Sequence, residues 1–277
     1  MASALGVGSR NLRRSKTAAL EQRSRGLVSE SMVMEIASRL IGDGGPRSQF
    51  ESRKVSPETV ESFVRNALEG ETADLAALVD SQLESGVPLE TVFVELLAPA
   101  ARRIGEFWDD DSAEFVDVTM ALWRLQELLH EVAWRTPAIA KYAAGDRFAL
   151  FAPFPGDQHS FGTAMIAETF ARAGWATELM TGASRGDLLG ALGSNHFDLI
   201  ALTVSCDCNI DALSSLVRAV RSVSHNPQAL VMLGGRALAA NPGLAEAAGA
   251  DATAGTAIDA LQIAGEFLDS RCAVAVR

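Results

Sequence analysis

The chain has 277 residues, 48% of them apolar, and a formal net charge of −11. That length suggests about two domains with sizeable cores, and the acidic balance argues against a body that binds nucleic acid through charge. No uninterrupted apolar stretch reaches the ~20 residues that span a bilayer, and the three cysteines, Cys206, Cys208 and Cys272, fit a reducing cytoplasm better than a disulfide framework.

The charge is unevenly spread. Residues 1–26 hold six basic side chains against Glu21 alone, a net +5 that leaves −16 for the remainder. This segment lacks the apolar core of a secretory signal. It reads as a basic arm with too few apolar residues to fold by itself, or as an electrostatic tether for an acidic partner or a phosphate backbone. Leu27 to Ile41 follows as an amphipathic helix, with Val28, Met32, Ile36 and Leu40 four residues apart.

Ser56-Pro57 is the N-cap and first position of the next helix, which buries Val60, Phe63, Val64 and Leu68. A third helix runs from Thr72 to Glu84 and closes at Gly86. A fourth begins near Pro88 and presents Leu89, Val92, Leu96, Ala100, Ile104 and Phe107; Pro99 should kink it or remove a hydrogen bond. The fifth carries Phe115, Val118, Leu122, Leu125, Leu129 and Val132, the alternating three and four spacing of a bundle seam. Residues 27–140 therefore read as a helical domain with an antiparallel bundle core over 56–140. His130 belongs on the outer side of that bundle.

From Arg147 the pattern alternates strand and helix. Strands are expected near 147–154, 176–181, 198–204, 229–233 and 251–254, and helices near 162–173, 185–193, 209–222, 241–248 and 257–269. The runs Leu199–Val204 and Ala229–Leu233 are apolar throughout, as strands covered on both faces should be. Residues 147–277 thus predict an α/β domain, a flavodoxin-like, doubly wound, five-stranded parallel sheet. Right-handed crossovers align the loops after the first, third and fourth strands along one edge.

Those loops carry the chemistry. After the first strand comes Gly156-Asp157-Gln158-His159-Ser160-Phe161-Gly162. Asp157 stands two residues from His159, close enough to accept a hydrogen bond from the imidazole, fix its tautomer and make the other nitrogen a better metal ligand. Gly162 leaves backbone bare for something bulky. After the third strand stand Thr203-Val204-Ser205, and after the fourth Gly234-Gly235-Arg236, a glycine pair that lets backbone lie against a ring or phosphate. Cys206-x-Cys208 lacks the second pair of a structural zinc site. In the helical part, Ile104-Gly105-Glu106-Phe107-Trp108 precedes an acidic loop, and Trp108 either packs the bundle end or covers a flat ligand.

Asp157-x-His159-x-x-Gly162 resembles the signature of cobalamin-binding domains. The resemblance implies cobalamin, with His159 as the lower ligand to cobalt in place of the cofactor's own dimethylbenzimidazole, and Asp157 bonded to His159. It extends over residues 88 to 270. The Ile-Gly-x-x-Trp run is similar to the family's helical cap over the corrin, and Thr203 keeps the hydroxyl of the family's usual Ser-x-Leu, whereas Ser205 departs from its leucine. Implied cofactor contacts are Asp157, Gln158, His159, Ser160, Gly162, Thr203, Ser205, Gly234, Gly235 and Arg236 on the sheet side, and Trp108, Val118, Thr119 and Trp123 in the cap.

Light-sensing repressors of this family carry Glu-His after nine intervening residues from the cap tryptophan; here those positions hold Val118-Thr119. A cap without that pair suits a small upper ligand such as water or hydroxide. Phe107-Trp108, Phe115-Val-Asp-Val118, Trp123-Arg-Leu-Gln126 and Phe154–Gly162 are similar to the AerR/PpaA group of photosynthetic bacteria. That resemblance implies a non-enzymatic, light-responsive antirepressor. It would contact a transcriptional repressor of the CrtJ/PpsR type without a membrane or direct nucleic-acid contact, since no helix-turn-helix segment is evident. Two other readings are a corrinoid carrier for a methyltransferase system and a degenerate domain kept for protein contacts alone.

Overall fold

The computed structural model describes residues 54–110, 112–136, 147–205, 210–241 and 243–275, the side chains of 271–275 excepted. The basic arm, the Leu27–Ile41 helix, Cys206 and Cys208 lie outside the described residues. Ser52–Arg277 form one compact unit.

The helical part begins at α1, Pro57–Glu69, where the Ser56 hydroxyl accepts the Thr59 N–H and Pro57 pre-sets the first helical φ. In α2, Thr72–Glu84, the Asp74 carboxylate accepts the Glu71 N–H at 3.0 Å, and the turn at Gly86 (φ 90°) ends the run. The next helical rod is α over Leu89–Thr91 (α3), π over Val92–Leu97, and α again over Ala98–Asp109 (α4). Pro99 therefore does not end the rod, although it removes one hydrogen bond from the ladder. The wider π turn, in which the Ala98 N–H reaches back to the Phe93 carbonyl, shifts the carbonyl that the proline ring would otherwise strike and absorbs the missing N–H.

Helix α5, Phe115–Arg135, buries Val118, Ala121, Leu125, Leu128, Leu129 and Val132. The seam starts one turn later than the spacing suggests. Phe115 lies in the first turn, outside the packed core, and sets its ring edge-on to Trp108 with centroids 5.4 Å apart. Phe63, Phe93, Leu96, Leu97, Ile104 and Leu125 fill the core these helices share, and Ala164 and Met165 from the following part join it.

Five strands follow: β1 Phe148–Pro153, β2 Ala176–Leu179, β3 Leu199–Thr203, β4 Leu230–Gly234 and β5 Ala252–Ala254. All pair in parallel in the order β2-β1-β3-β4-β5. The connecting helices are α6 Phe161–Arg172, α7 Arg185–Ser194, α8 Ile210–Val223, α9 Arg236–Ala240, α10 Gly243–Ala248 and α11 Ala257–Ala275. Alternation along each strand explains the unbroken apolar runs. Leu150, Ile200, Leu202, Val231 and Leu233 pack under α7 and α8, while Ala149, Phe151, Leu199, Leu230 and Met232 pack under α6 and α11. Both faces of the central strands β1, β3 and β4 are covered, which is why their sequences are almost wholly apolar, whereas the edge strands β2 and β5 are partly exposed and carry Thr177, Glu178 and Thr253.

Helix α6 has two buried faces. Ala167 and Phe170 lie on the sheet; Ala164 and Met165 lie in the helical core. It is the wall shared by the two halves, and it begins in the loop that carries His159. A short helix, α9, starts at Arg236 where the sequence suggests only a loop. Gly235 makes this possible. Its φ is 101°, and a Cβ there would stand 2.6 Å from the Val204 carbonyl oxygen and 2.8 Å from its nitrogen. The chain after β4 thus lies directly against the chain after β3, with Val204 N–H donating to Gly234 and its carbonyl accepting from Ala237.

Two glycine substitutions should separate strain from open space. Gly235→Ala is expected to lower unfolding free energy by about 3 kcal/mol, because it combines a glycine-only backbone with a backbone clash. Gly162→Ala, inside α6 with nothing within 4 Å of the added Cβ, should leave stability unchanged or raise it by up to ~1 kcal/mol. Urea denaturation of both proteins checks the contrast.

Candidate functional site

The parallel sheet sends the ends of β1, β3 and β4 to one edge. Pro153, Thr203 and Gly234 are the last strand residues there, in register across the sheet. From β1, Phe154 donates its N–H to the Thr203 carbonyl (2.8 Å), and the Asp157 N–H returns to the Phe154 carbonyl (2.8 Å). Proline at the second position and Gly156 at the third, with φ 93°, is the pattern of a type II turn. The turn drives Asp157 inward.

Asp157 is the best connected side chain of the edge. Its Oδ1 accepts the His159 backbone N–H (2.9 Å) and His159 Nδ1 (2.7 Å), and its Oδ2 accepts the Ser205 N–H (2.8 Å). The carboxylate side chain is 1% exposed, while the His159 side chain is 71% exposed. Burial by itself would push the Asp157 carboxyl up. The His159 and Ser205 backbone N–H groups, with the His159 ring, outweigh burial and hold it below the usual carboxylate range.

A carboxylate can only accept, so in the neutral imidazole the proton sits on Nδ1 and the lone pair on Nε2. Asp157 thus presents an exposed ring with one nitrogen ready to ligate. Among the described residues no group of three or more His, Cys, Asp or Glu is placed to hold a bare metal ion. One nitrogen would suffice for a metal whose other ligands come from a macrocycle. The donor set fits the corrin-bound cobalt that the resemblance implies.

The other sheet-side residues lie in or beside the loops of the same edge. Gln158 is exposed, and its carbonyl accepts the Ser160 N–H. Ser160 precedes α6, and its hydroxyl caps no N–H. Gly162, in the first turn of α6, faces open space. Thr203 is buried, and its hydroxyl bonds that of Thr163, also buried. Thr163 is a residue that sequence reasoning misses, since a threonine in a helix start carries no motif. Ser205 contributes its backbone N–H to Asp157, a role that no side-chain pattern announces. Gly234 lies against the Ala254 carbonyl (3.3 Å from a would-be Cβ).

In the helical part, Trp108 and Trp123 are 48% and 50% exposed. Val118 packs in the bundle core, and Thr119 is exposed with its hydroxyl donating to the Phe115 carbonyl (2.7 Å). His130 is exposed, and its Nδ1 bonds the Gln126 carbonyl at 2.8 Å. Val116, Met120 and Trp123 form an exposed apolar stripe half a turn from the buried seam of α5. Their spacing of four and three is the signal that could have found Val116 and Met120. Arg236 Nη1 reaches Asp109 Oδ2 at 2.6 Å, joining the end of α4, next to Trp108, to the edge after β4.

Residues 149–264 match a family described as B12 binding domain, and residues 59–132 match a second family of the same description. A Rhodobacter capsulatus protein, described as an uncharacterized 20.5 kDa protein in the bchF-crtJ intergenic region, is 30% identical over 147 residues, 53% of this chain and 77% of that protein. The fold is similar to that of the monomethylamine corrinoid protein of Methanosarcina barkeri, with a TM-score of 0.62 and 17% identity over 76% of this chain and 99% of that one. Among the described residues, no helix is long and apolar enough to cross a membrane.

Asp157→Asn should separate the clamp from the ligand. Either orientation of the amide turns its NH2 toward an N–H donor, so the variant without cofactor should lose about 1–3 kcal/mol of stability. His159→Ala removes an exposed ring and leaves both backbone bonds, so its stability should change by about 1 kcal/mol or less. Guanidinium titrations of the two variants measure the difference.

Proposed function

The chain belongs to the B12-binding domain family, its cofactor is cobalamin, and from that premise we propose that it is a light-responsive antirepressor acting by contact with a transcriptional repressor of the CrtJ/PpsR type. It is proposed to be cytoplasmic and to catalyse no reaction itself. In this reading residues 1–26 are a basic arm, 27–140 a helical cap and 147–277 the cofactor-binding part.

His159 Nε2 would take the lower position on cobalt, oriented by Asp157 from the other side of the ring. Gln158, Ser160, Gly162, Thr203, Ser205, Gly234, Gly235 and Arg236 would line the sheet-side contacts, with Trp108, Val118, Thr119 and Trp123 contributed by the cap. When bound, cobalamin supplies a cobalt centre whose bond to an upper alkyl ligand is broken by visible light.

The chain's own part is to convert that local loss into a change of surface. Trp108 and Trp123 expose flat apolar area that a large upper ligand would cover and a small one would not. A ligand shifts a two-state balance only by its difference in affinity for the two states, so the cap must discriminate between upper ligands for the switch to work. The observation that carries the regulatory reading is the relative whose description puts it in the bchF-crtJ intergenic region. Val118 and Thr119, in place of an acid and an imidazole, count against a methyl carrier and equally against an adenosylcobalamin photoreceptor of the usual kind.

The test is a titration of the repressor against apo, dark and illuminated cobalamin-loaded protein. A coupling of ~1–3 kcal/mol, a five- to 150-fold change in affinity, is expected between ligand states. Equal binding of all three samples, together with methyl transfer from methylcobalamin-loaded protein to a thiol acceptor, would establish the carrier reading instead. In parallel, His159→Ala should weaken cobalamin binding at least about tenfold and change the absorbance spectrum of what remains bound.

A further inference from the structure

Among the described residues, two contacts of opposite character join the helical half to the α/β half. One is the face of α6. Ala164 and Met165 are buried in the helical core. The Arg172 side chain, only 9% exposed, holds Glu168 at 2.7 Å, donates to the Thr136 carbonyl at 2.6 Å and sets its guanidinium 5.5 Å from the Phe93 ring centroid. That contact is buried and apolar at its centre and hydrogen-bonded at its end. The other is the ion pair between Asp109 and Arg236, 2.6 Å long with both side chains exposed, 51% and 69%. Exposed pairs of this kind are readily broken.

The charges of that pair do not serve their own helices. Asp109 is the last residue of α4, where a carboxylate faces the negative end of the helix dipole, and Arg236 is the first residue of α9, where a cation faces the positive end. Each stands at the terminus that disfavours it, so what they gain is each other. Arg236 also follows a closely packed piece of backbone. Gly235, wedged against the Val204 backbone, fixes the chain from which its side chain reaches. Asp109, by contrast, ends a helix and is followed by the turn to α5, and its neighbour is the half-exposed Trp108.

We propose that Asp109 and Arg236 form a salt latch that holds the Trp108 end of α4 against the open edge of the sheet, and that the helical half lifts at this end, about the α6 face, when the latch breaks. The α6 side is the hinge, because its contacts are buried and persist. The latch sets how often the edge that carries His159 is uncovered. It is a property of the chain without cofactor, so its test is independent of the functional reading above.

The experiment is hydrogen exchange of the full chain without cofactor, followed by mass spectrometry over residues 103–110, 115–120, 161–172 and 199–203. At low salt, Asp109→Arg and Arg236→Asp should each speed exchange over 103–110 and 115–120 about two- to fivefold, the range an exposed pair can control. They should leave 161–172 and 199–203 unchanged. The double reversal should restore protection, and about 1 M salt, where screening acts within about 3 Å, should remove the difference between the native chain and the single variants. The sign is decisive. A helix-dipole effect alone predicts slower exchange at the end of α4 for Asp109→Arg, because a cation there is favourable. Slower or unchanged exchange in the single variants, or a double variant that stays unprotected, overturns the latch. If a reversed charge disturbs β3 as well, the neutral Asp109→Asn and Arg236→Gln variants apply the same test, and unchanged exchange over 103–110 in them overturns it.

Discussion

One buried carboxylate holds the open edge of the sheet together. Asp157 receives three N–H groups on two oxygens, and those donors come from its own loop and from the chain after β3. The loop after β1 is therefore tied to the neighbouring strand end. A side chain that is almost wholly buried stays ionised because each of its oxygens is satisfied. The consequence reaches the exposed surface. With Oδ1 occupied by the His159 backbone and ring together, the imidazole has one tautomer and a restricted orientation, and Nε2 is the atom left to bind. Burial of the acid is the condition for the pre-orientation of the base.

Everything around this clamp keeps the edge open yet rigid. The type II turn at Pro155-Gly156 sends Asp157 inward, and the contact of Gly235 with Val204 locks the loops after β3 and β4 side by side. Helix α6 starts from the same loop and carries the helical half on its second face through Ala164 and Met165. A single element thus connects the His159 loop to the helical half. Such a connection is what a switch requires: a change at the ring and a change in the seating of the helical half are felt by one helix. The apolar stripe of Val116, Met120 and Trp123 faces away from the bundle core and costs exposed hydrophobic surface, which suits a surface that is covered in one state and free in another.

The central strands β1, β3 and β4 were legible because burial on both faces forces near-continuous apolar runs, and the parallel order of the sheet followed from the alternation with helices. The α1 start was legible in Ser56-Pro57, and the Asp157–His159 bond in two residues of complementary chemistry two positions apart. What escaped the sequence has a common cause: the deciding contact was either backbone or remote. The π turn over Val92–Leu97 is a backbone answer to Pro99, whose side chain announces only a defect. Ser205 acts through its N–H, and Thr163 through a hydroxyl that meets Thr203 from forty residues away. The bond from Arg236 to Asp109 spans 127 positions, and α9 exists because Gly235 can take a φ that nearby residue types do not reveal. Phe115 satisfied the seam spacing yet lies outside the core, because spacing gives a face but not where along the helix its packing begins.

The central claim is that a protein imidazole, and not the cofactor's own benzimidazole, sits beneath the cobalt. Electron paramagnetic resonance of the reduced, paramagnetic cobalamin bound to protein labelled with nitrogen-15 in histidine alone reads this directly, because the axial nitrogen splits the cobalt lines. The account predicts that the three-line splitting of the unlabelled sample becomes a two-line splitting on labelling, and that His159→Ala, loaded with enough cofactor to bind, loses it. A three-line pattern unchanged by the label would mean that the axial nitrogen belongs to the cofactor, and the role assigned to Asp157 and His159 would be wrong.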